Sequence, residues 1–346
     1  MTVKNHAKTK PERRSAQSDY LLGLLGGVVT APPAPSRDTI DYYARCAAEG
    51  NPDAQYQLAR ALVTGQGLSA NNRTALKWLK KAVEQEHAAS EHLLGVMYLT
   101  GKGVKRDTAR ALELFQKAAI TGNVDAQYDL ALLYQQGYEG KPSDATQALR
   151  WFRLAGAQGH LASQYQVGYA LAHGLGCDCN LQQAATWLRK AAIANDERAQ
   201  YEYGMLFLHP SYAKASDEEA FRWIKLSALA GFAPAQYQLA LCHQNGTGTL
   251  PNFDLAALWA GKGAAQQHGP CRQLLANFYR FGAGVTKNIA VAYALTVLSA
   301  QTDDRARALA DTLEKDLPAG TRTSVRKILN RDLALSDTIE SIIALG

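Results

Sequence analysis

Apolar and small residues recur along the chain with the spacing of helix faces. Ala54, Leu58 and Leu62 fall four residues apart, which places them on one side of a helix. A second run in the same unit sets Trp78 and Ala82 four residues apart, again on one helix face. No strand-like alternation interrupts this pattern. We therefore predict two helices in each unit.

The two-helix unit repeats with a period of 36 residues, stretched to 37 where Tyr138-Glu139-Gly140 lengthens one loop. All five tryptophans lie in phase, at Trp78, Trp151, Trp187, Trp223 and Trp259. A unit of this size cannot bury both helices alone, so neighbouring units must stack. We predict an all-α fold, an α-solenoid (right-handed superhelix) of about seven to eight 36-residue helix-turn-helix repeats with a C-terminal helical cap.

The turn inside each unit has its own signature. Glycine, as at Gly65, ends the first helix because the left-handed backbone there costs glycine little. An Asn, Asp or Ser, as at Asn71, then caps the start of the second helix. One unit differs, since Pro210 and Tyr212 replace the two turn glycines. We expect a kink or a reshaped loop at that place.

These motifs resemble the Sel-1-like repeat family, which is related to the tetratricopeptide repeats. The resemblance is carried by the Ala-x-x-x-Leu-Gly/Ala start, the Gly-x-Gly turn at Gly65 and Gly67, and the Ala-x-x-Trp-x-x-x-Ala close, over about residues 38 to 300. The period of 36, against 34 in tetratricopeptide repeats, favours the Sel-1-like branch. The resemblance implies an adaptor that holds other proteins.

The repeat phase divides the chain into four segments. They are a basic and disordered tail at 1–17, a degenerate repeat or signal-like segment at 18–53, the repeat solenoid at 54–302 and C-terminal capping helices at 303–346. In the last segment we predict one helix over 303–317 and another over 323–333, which together hide the final apolar face of the array. The apolar stretch 339–345 could instead dock onto a partner.

Two interpretations of the apolar run at 21–29 remain open. Tyr20 and Leu22 lie 36 residues before Tyr56 and Leu58, which favours a degenerate repeat and a cytoplasmic protein. The basic stretch before the run and a cleavage-like segment ending at Ala31 are typical of a secretory signal, which would make the protein periplasmic or secreted. The run is too short to span a bilayer, so we predict no integral membrane span.

The charge distribution and the cysteine content narrow the range of possible functions. The net charge is +6, and most of it comes from the first seventeen residues, so the solenoid is nearly neutral and nucleic-acid binding is not expected. The five cysteines form no repeating pair, so we predict no disulfide framework. His173, Cys177 and Cys179 have metal-ligand chemistry, but they lack a fourth ligand and coincide with a repeat turn. We predict no catalytic residues, cofactor or metal.

Two in-phase positions on the first helices vary in chemistry, while their neighbours stay apolar. They are Arg60, Val96, Leu132, Tyr169, Met205, Leu241 and Asn277 in one series, and Thr64, Thr100, Gln136, His173, His209, Asn245 and Phe281 in the other. Related solenoids line their concave surface with these helices, although the first series could instead pack between helices. We predict partner contacts at Arg60, Gln136, Tyr169, His173, Met205, His209 and Asn245.

The function that follows is a non-catalytic protein-protein interaction scaffold or adaptor. Its partner is a protein of unknown identity, and the scaffold could serve as a toxin-neutralising immunity protein or as a signalling adaptor. The alternative is a secreted or periplasmic, cell-wall-associated Sel-1-like protein with hydrolase or peptidoglycan-binding activity. The sequence motifs of common hydrolases are absent from the chain.

Overall fold

The computed structural model describes residues 35–138, 140–300, 304–331 and 333–345. Within these ranges the chain is built from 18 α-helices and contains no strand, apart from an isolated bridge between Tyr138 and Lys141. The predicted all-α fold is therefore confirmed. The predicted basic tail 1–17 and residues 18–34 of the predicted degenerate repeat or signal lie outside the described residues.

The chain divides into two compact units, Met1–Ala155 and Gly156–Gly346. The helices that begin before the boundary are α1 (Arg37–Ala48), α2 (Pro52–Thr64), α3 (Asn72–Val83), α4 (Ala88–Thr100), α5 (Thr108–Ile120), α6 (Val124–Gln136) and α7 (Ala145–Ala157). The next are α8 (Leu161–His173), α9 (Leu181–Ile193), α10 (Glu197–Leu208), α11 (Asp217–Leu229), α12 (Ala233–Asn245), α13 (Phe253–Ala265), α14 (Gly269–Phe281) and α15 (Ile289–Ser299). The last three are α16 (Asp304–Lys315), α17 (Ala319–Leu329) and α18 (Leu335–Ile343).

Consecutive helices pack against each other inside each unit. In the first unit α2 packs on α3 and α3 packs on α4, the first helix of the next repeat. In the second unit the same order runs from α8 through α15. Helices α4, α10, α12 and α14 thus each lie between their own second helix and the second helix of the preceding repeat, which buries the apolar faces that the 36-residue period predicts.

The turn signature works as the sequence predicts. Helix α2 ends at Gly65, which has a φ of 72°, and its N–H donates to the carbonyl of Ala61. The Asn71 side chain accepts a hydrogen bond of 3.0 Å from the N–H of Thr74 and so caps the start of α3. Residues inside the turn provide hydrogen-bond partners for free backbone groups at both helix ends. The same geometry can therefore repeat along the chain.

The closest approach within a repeat joins a small residue of the first helix to a large buried residue of the second. In the second unit, a Cβ added to Gly168 would lie 2.5 Å from Leu188 Cγ, and one added to Gly204 would lie 2.9 Å from Ile224 Cγ1. Leu188 and Ile224 are fully buried. The residues after Trp187 and Trp223 are therefore the main buried contacts of their repeats, whereas most of the tryptophans are only partly buried.

A second recurring device is a buried glutamine. Its side-chain amide donates to a backbone carbonyl near the end of the preceding helix, at 3.0 to 3.2 Å. The pairs are Gln55 with Ala47, Gln127 with Ala119, Gln164 with Gly156, Gln200 with Ala192, and Gln236 with Ala228. The bond satisfies a helix-end carbonyl inside the core. The glutamine recurs in the sequence at the same position of these repeats, but its role depends on a carbonyl of the preceding helix, which no local motif indicates.

The C-terminal segment contains three helices where two were predicted. Helices α16, α17 and α18 all pack against α15, whose residues 291–296 are buried. In the apolar stretch 339–345, Ile342 is buried in the fold, whereas Ile343 and Leu345 are exposed. The docking of this stretch onto a partner therefore stays a prediction.

Glu91 occupies the glutamine position in the second repeat, and we expect Glu91→Gln to stabilise the protein. Glu91 is buried, and its burial raises the pKa of the carboxyl. A carboxylate cannot donate to a carbonyl, whereas an amide can, at a gain of about 1 kcal/mol. Because the pKa in the folded state is raised, the penalty from Glu91 is present near neutral pH and disappears below the ordinary glutamate pKa of about 4.3.

Thermal unfolding followed by circular dichroism, near neutral pH and in acid, measures the change in stability that Glu91→Gln causes. The gain from Glu91→Gln should be largest near neutral pH and should shrink in acid. The converse variant, Gln127→Glu, should destabilise with the same pH dependence. A stabilisation that is equal at both pH values would contradict the assignment of the effect to ionisation.

We expect Gly168→Ala to destabilise the protein, because the new methyl group would overlap Leu188. The overlap involves Cγ at 2.5 Å and the backbone N at 3.1 Å, which a side-chain rotation cannot relieve. Overpacking of this kind costs roughly 1–3 kcal/mol, which outweighs the helix-propensity gain of about 1 kcal/mol from glycine to alanine.

Two further variants test the cause. Gly261→Ala is the matched control, since no atom lies within 4 Å of a Cβ at that position, and it should be stabilising. The double variant Gly168→Ala with Leu188→Ala should lose less stability than the sum of the single variants in denaturant unfolding. Strict additivity would show that the two residues do not share the contact.

Candidate partner-binding surface

The two in-phase series differ in exposure. In the second series, Gln136, His173, His209 and Asn245 are all exposed. The first series is mixed, because Val96 and Leu132 are buried between helices, whereas Arg60, Tyr169 and Met205 are partly exposed.

The predicted contacts in the first unit remain separate. The Arg60 guanidinium lies 6.0 Å from the centre of the Tyr56 ring on α2, and Gln136 is on α6, two repeats further along the chain. In the second unit the structure brings Tyr169 and His173 together on α8, with ring centres 4.3 Å apart. Two of the predicted contact residues thus lie together in the second unit, and the candidate site is built around them.

Three residues that sequence analysis did not select complete this site. His173 Nε2 lies 3.4 Å from Glu202 Oε2 on α10, and the Tyr165 ring lies 5.9 Å from that of Tyr169. The Arg198 guanidinium stands 4.7 Å from the centre of the Tyr165 ring. We call Tyr165, Tyr169, His173, Arg198 and Glu202 the Glu202 cluster. It joins the first helices of two successive repeats.

Electrostatics in the Glu202 cluster are set mainly by burial. Burial raises the pKa of the Glu202 carboxyl, and the adjacent His173 acts in the opposite direction. Burial, together with the charge of Glu202, raises the pKa of Tyr165 to about 12, against the influence of Arg198. A carboxylate held in a partly dry, aromatic setting is poorly solvated and gains from any cation that approaches it.

The sequence does contain a signal for Glu202. At the equivalent position the other repeats carry glutamine or leucine, except for one repeat of the first compact unit, which carries Asp129. Asp129 is also paired with a histidine, since His92 Nε2 lies 2.7 Å from its Oδ2. An acidic residue at a repeat position that is otherwise uncharged therefore indicates both histidine–carboxylate pairs. Tyr165 was not selected because tyrosine recurs at its position, as at Tyr56, Tyr128 and Tyr201, so the position is not one that varies along the repeat.

The unit without turn glycines has the reshaped loop that we expected. Helix α10 ends at His209 in an extended conformation instead of a left-handed glycine. Tyr212 turns inward, is buried, and packs edge-on against Phe207 with ring centres 5.4 Å apart. His209 Nδ1 accepts a hydrogen bond from the N–H of Ser211, which leaves its Nε2 as the donor. The loop therefore fixes the orientation of a predicted contact residue.

The cysteine-rich turn after α8 makes local contacts. Cys179 Sγ donates to the carbonyl of Ala172 at 3.2 Å, and His173 faces Glu202. All five cysteines are unpaired thiols. Among the residues that the structure describes, no group of three or more His, Cys, Asp and Glu side chains is arranged to hold a metal ion.

The first unit has a surface depression of different chemistry. Its volume is about 710 Å³, and its lining includes Lys80, Lys105, Arg106 and Arg110. Arg110 is held there by Asp107, at 3.4 Å, and by the face of Tyr98. The depression is basic and open, whereas the Glu202 cluster is aromatic and carries a carboxylate.

None of the described helices is long and apolar enough to cross a membrane.

A family model for the Sel1 repeat matches residues 52–87, 88–123, 124–160, 161–196, 197–232, 233–268 and 272–301. A Sel1 repeat protein from Oxalobacter formigenes has a similar structure, with 25% identity and a TM-score of 0.63 over 71% of this chain and 96% of that chain. No curated protein sequence matches the chain significantly.

Two other solved structures superpose less well. A protective antigen of uropathogenic Escherichia coli is 22% identical, with a TM-score of 0.36 over 94% of this chain and 82% of that chain. An immunity protein of Pseudomonas aeruginosa is 22% identical, also with a TM-score of 0.36, over 66% of this chain and 82% of that chain.

We expect Tyr212→Ala to destabilise the second unit by about 3 kcal/mol, because the buried ring fills the space beside Phe207. Tyr212→Phe keeps the ring and is the matched control, with little expected change. Denaturant unfolding measures both variants. Equal stability of the alanine variant and the wild type would show that the reshaped loop does not depend on this side chain.

Proposed function

Because the chain belongs to the Sel1 repeat family, we propose that it is a non-catalytic scaffold that binds a protein partner on the first helices of its second unit. The observation that carries the proposal is the row of exposed or partly exposed residues on α8, α10 and α12. This row includes Tyr169, Met205 and Asn245, at positions that the repeat leaves free to vary.

The chemistry of the row supports protein binding. Aromatic residues and methionine are enriched in the cores of protein interfaces, where they bury large areas. Asn245 and His209 add donors and acceptors at the edge of the same helices. The side chains project from folded helices that pack against one another, so binding does not require the surface to be ordered first.

A scaffold of this kind suits either an immunity protein that neutralises a secreted toxin or a signalling adaptor. The two roles differ in the partner they hold. An immunity protein should retain one enzyme in a stoichiometric complex and should abolish its activity. An adaptor should hold a partner whose own activity persists in the complex.

Affinity capture from the native host tests the proposal. The full-length protein with a C-terminal tag should retain one stoichiometric protein. Asn245→Arg should weaken retention about tenfold or more, because a bulky charge is introduced into the surface. Thr186→Arg is the matched control, since Thr186 is exposed on the second helix α9, and it should retain the partner normally.

Three results would contradict the proposal. They are the absence of any partner, equal retention by the two arginine variants, and hydrolysis of peptidoglycan by the purified protein. Intact-mass analysis of the captured protein also shows whether the N-terminus is cut. An uncut chain would support the cytoplasmic location, whereas loss of about thirty residues would support the signal.

A further inference from the structure

Glu202 is an unusual residue for the surface on which it lies. The four first helices α8, α10, α12 and α14 carry two acidic residues, Glu197 at the start of α10 and Glu202 in its middle. The Glu202 side chain is 16% exposed, so it is largely withdrawn from water but still reachable. The other side chains of this surface include aromatic rings, Met205 and the cationic Arg198.

The hydrogen bond that Glu202 makes inside the protein is a weak one. The distance of 3.4 Å to His173 Nε2 is longer than the usual 2.7–2.9 Å or so of a charge-assisted bond. The His173 side chain is 47% exposed and lies at the outer edge of the cluster. The carboxylate is therefore incompletely compensated in the free protein.

The in-phase acid of the first unit provides the contrast. Asp129 lies 2.7 Å from His92, and their side chains are 4% and 17% exposed. That pair is short and closed to solvent. The same position in the repeat thus carries a closed carboxylate in one unit and an open one in the other, which indicates that an acid here does not by itself require an outside ligand.

A row of aromatic rings on α8 lies beside the open carboxylate. The rings of Tyr165, Tyr169 and His173 follow one another along α8 at centre-to-centre distances of 5.9 and 4.3 Å. The Arg198 guanidinium already stacks on Tyr165, and it is anchored by Asp196 at 2.8 Å. Phenol faces attract cations, and a cation that also reaches a carboxylate is bound at two points.

We propose that the Glu202 cluster is the subsite of this surface that receives a lysine or arginine side chain of the protein partner. This inference rests on the function proposed above and adds the chemistry of the partner. The cationic head lies against the Glu202 carboxylate, beside the rings of His173 and Tyr169, and the methylene stem packs along Met205. An acidic segment is repelled from this position by the charge of Glu202.

A displayed library of random linear peptides, selected on the immobilised full-length protein, tests the proposal without knowledge of the native partner. Peptides enriched on the wild type should share a lysine or arginine at one fixed position. Replacement of that residue by norleucine or citrulline should weaken binding about tenfold or more in calorimetry. Enrichment without a shared basic residue would overturn the proposal, and so would the absence of any enriched peptide.

Variants of the protein separate the charge of Glu202 from its structural role. Glu202→Gln keeps the shape of the side chain and should abolish the preference for the basic residue. Its thermal midpoint should be equal to or above that of the wild type near neutral pH, because burial disfavours the carboxylate. Asp129→Asn is the matched control, and it should leave the selected peptides bound as in the wild type.

Failure of the basic-residue subsite can be distinguished from failure of the proposed function. If Asn245→Arg removes the native partner but Glu202→Gln changes neither peptide selection nor affinity, the surface binds proteins and the basic subsite is wrong. If the full-length protein captures no partner and enriches no peptide, both proposals are wrong. If basic peptides are selected and depend on Glu202, the subsite is established.

Discussion

The close approach of the two helices in each repeat is the constraint on which the rest of the structure depends. A small residue such as Gly168 must face a large buried one such as Leu188, and this contact fixes the distance and register of the pair. The buried glutamines then tie each pair to the preceding helix. Once these inward positions are occupied, the outward positions on the first helices are free to vary, and partner recognition can be placed there without loss of the fold.

Most of the fold is predictable from the sequence because its determinants are local and repeat. The glycine turn and the capping residue after it lie within a few residues of the helix ends that they define, as Gly65 and Asn71 do. Features that depend on distant contacts were missed. The role of Gln200 requires knowledge of the preceding helix, and α18 lies beyond the repeat, so no period indicates that Ile342 is buried.

The candidate site was predictable in part for the same reason. Tyr169 and His173 were found because both lie at variable in-phase positions of one helix. Glu202 lies on the next first helix, and its proximity to His173 follows only from the packing of α8 and α10. The structure therefore turns a set of variable positions into a cluster with definite chemistry. Arg60 and Gln136, in the other unit, lie on first helices that are two repeats apart, so they form no such cluster with each other.

Site-specific photocrosslinking in the native host tests the central claim most directly. A photoreactive phenylalanine analogue is placed at Met205 on the first helix α10 or at Thr186 on the second helix α9. The account predicts one discrete protein adduct at Met205 and none at Thr186. An adduct at Thr186 alone, or at neither position, would show that the first helices of the second unit are not the surface on which this protein binds its partner.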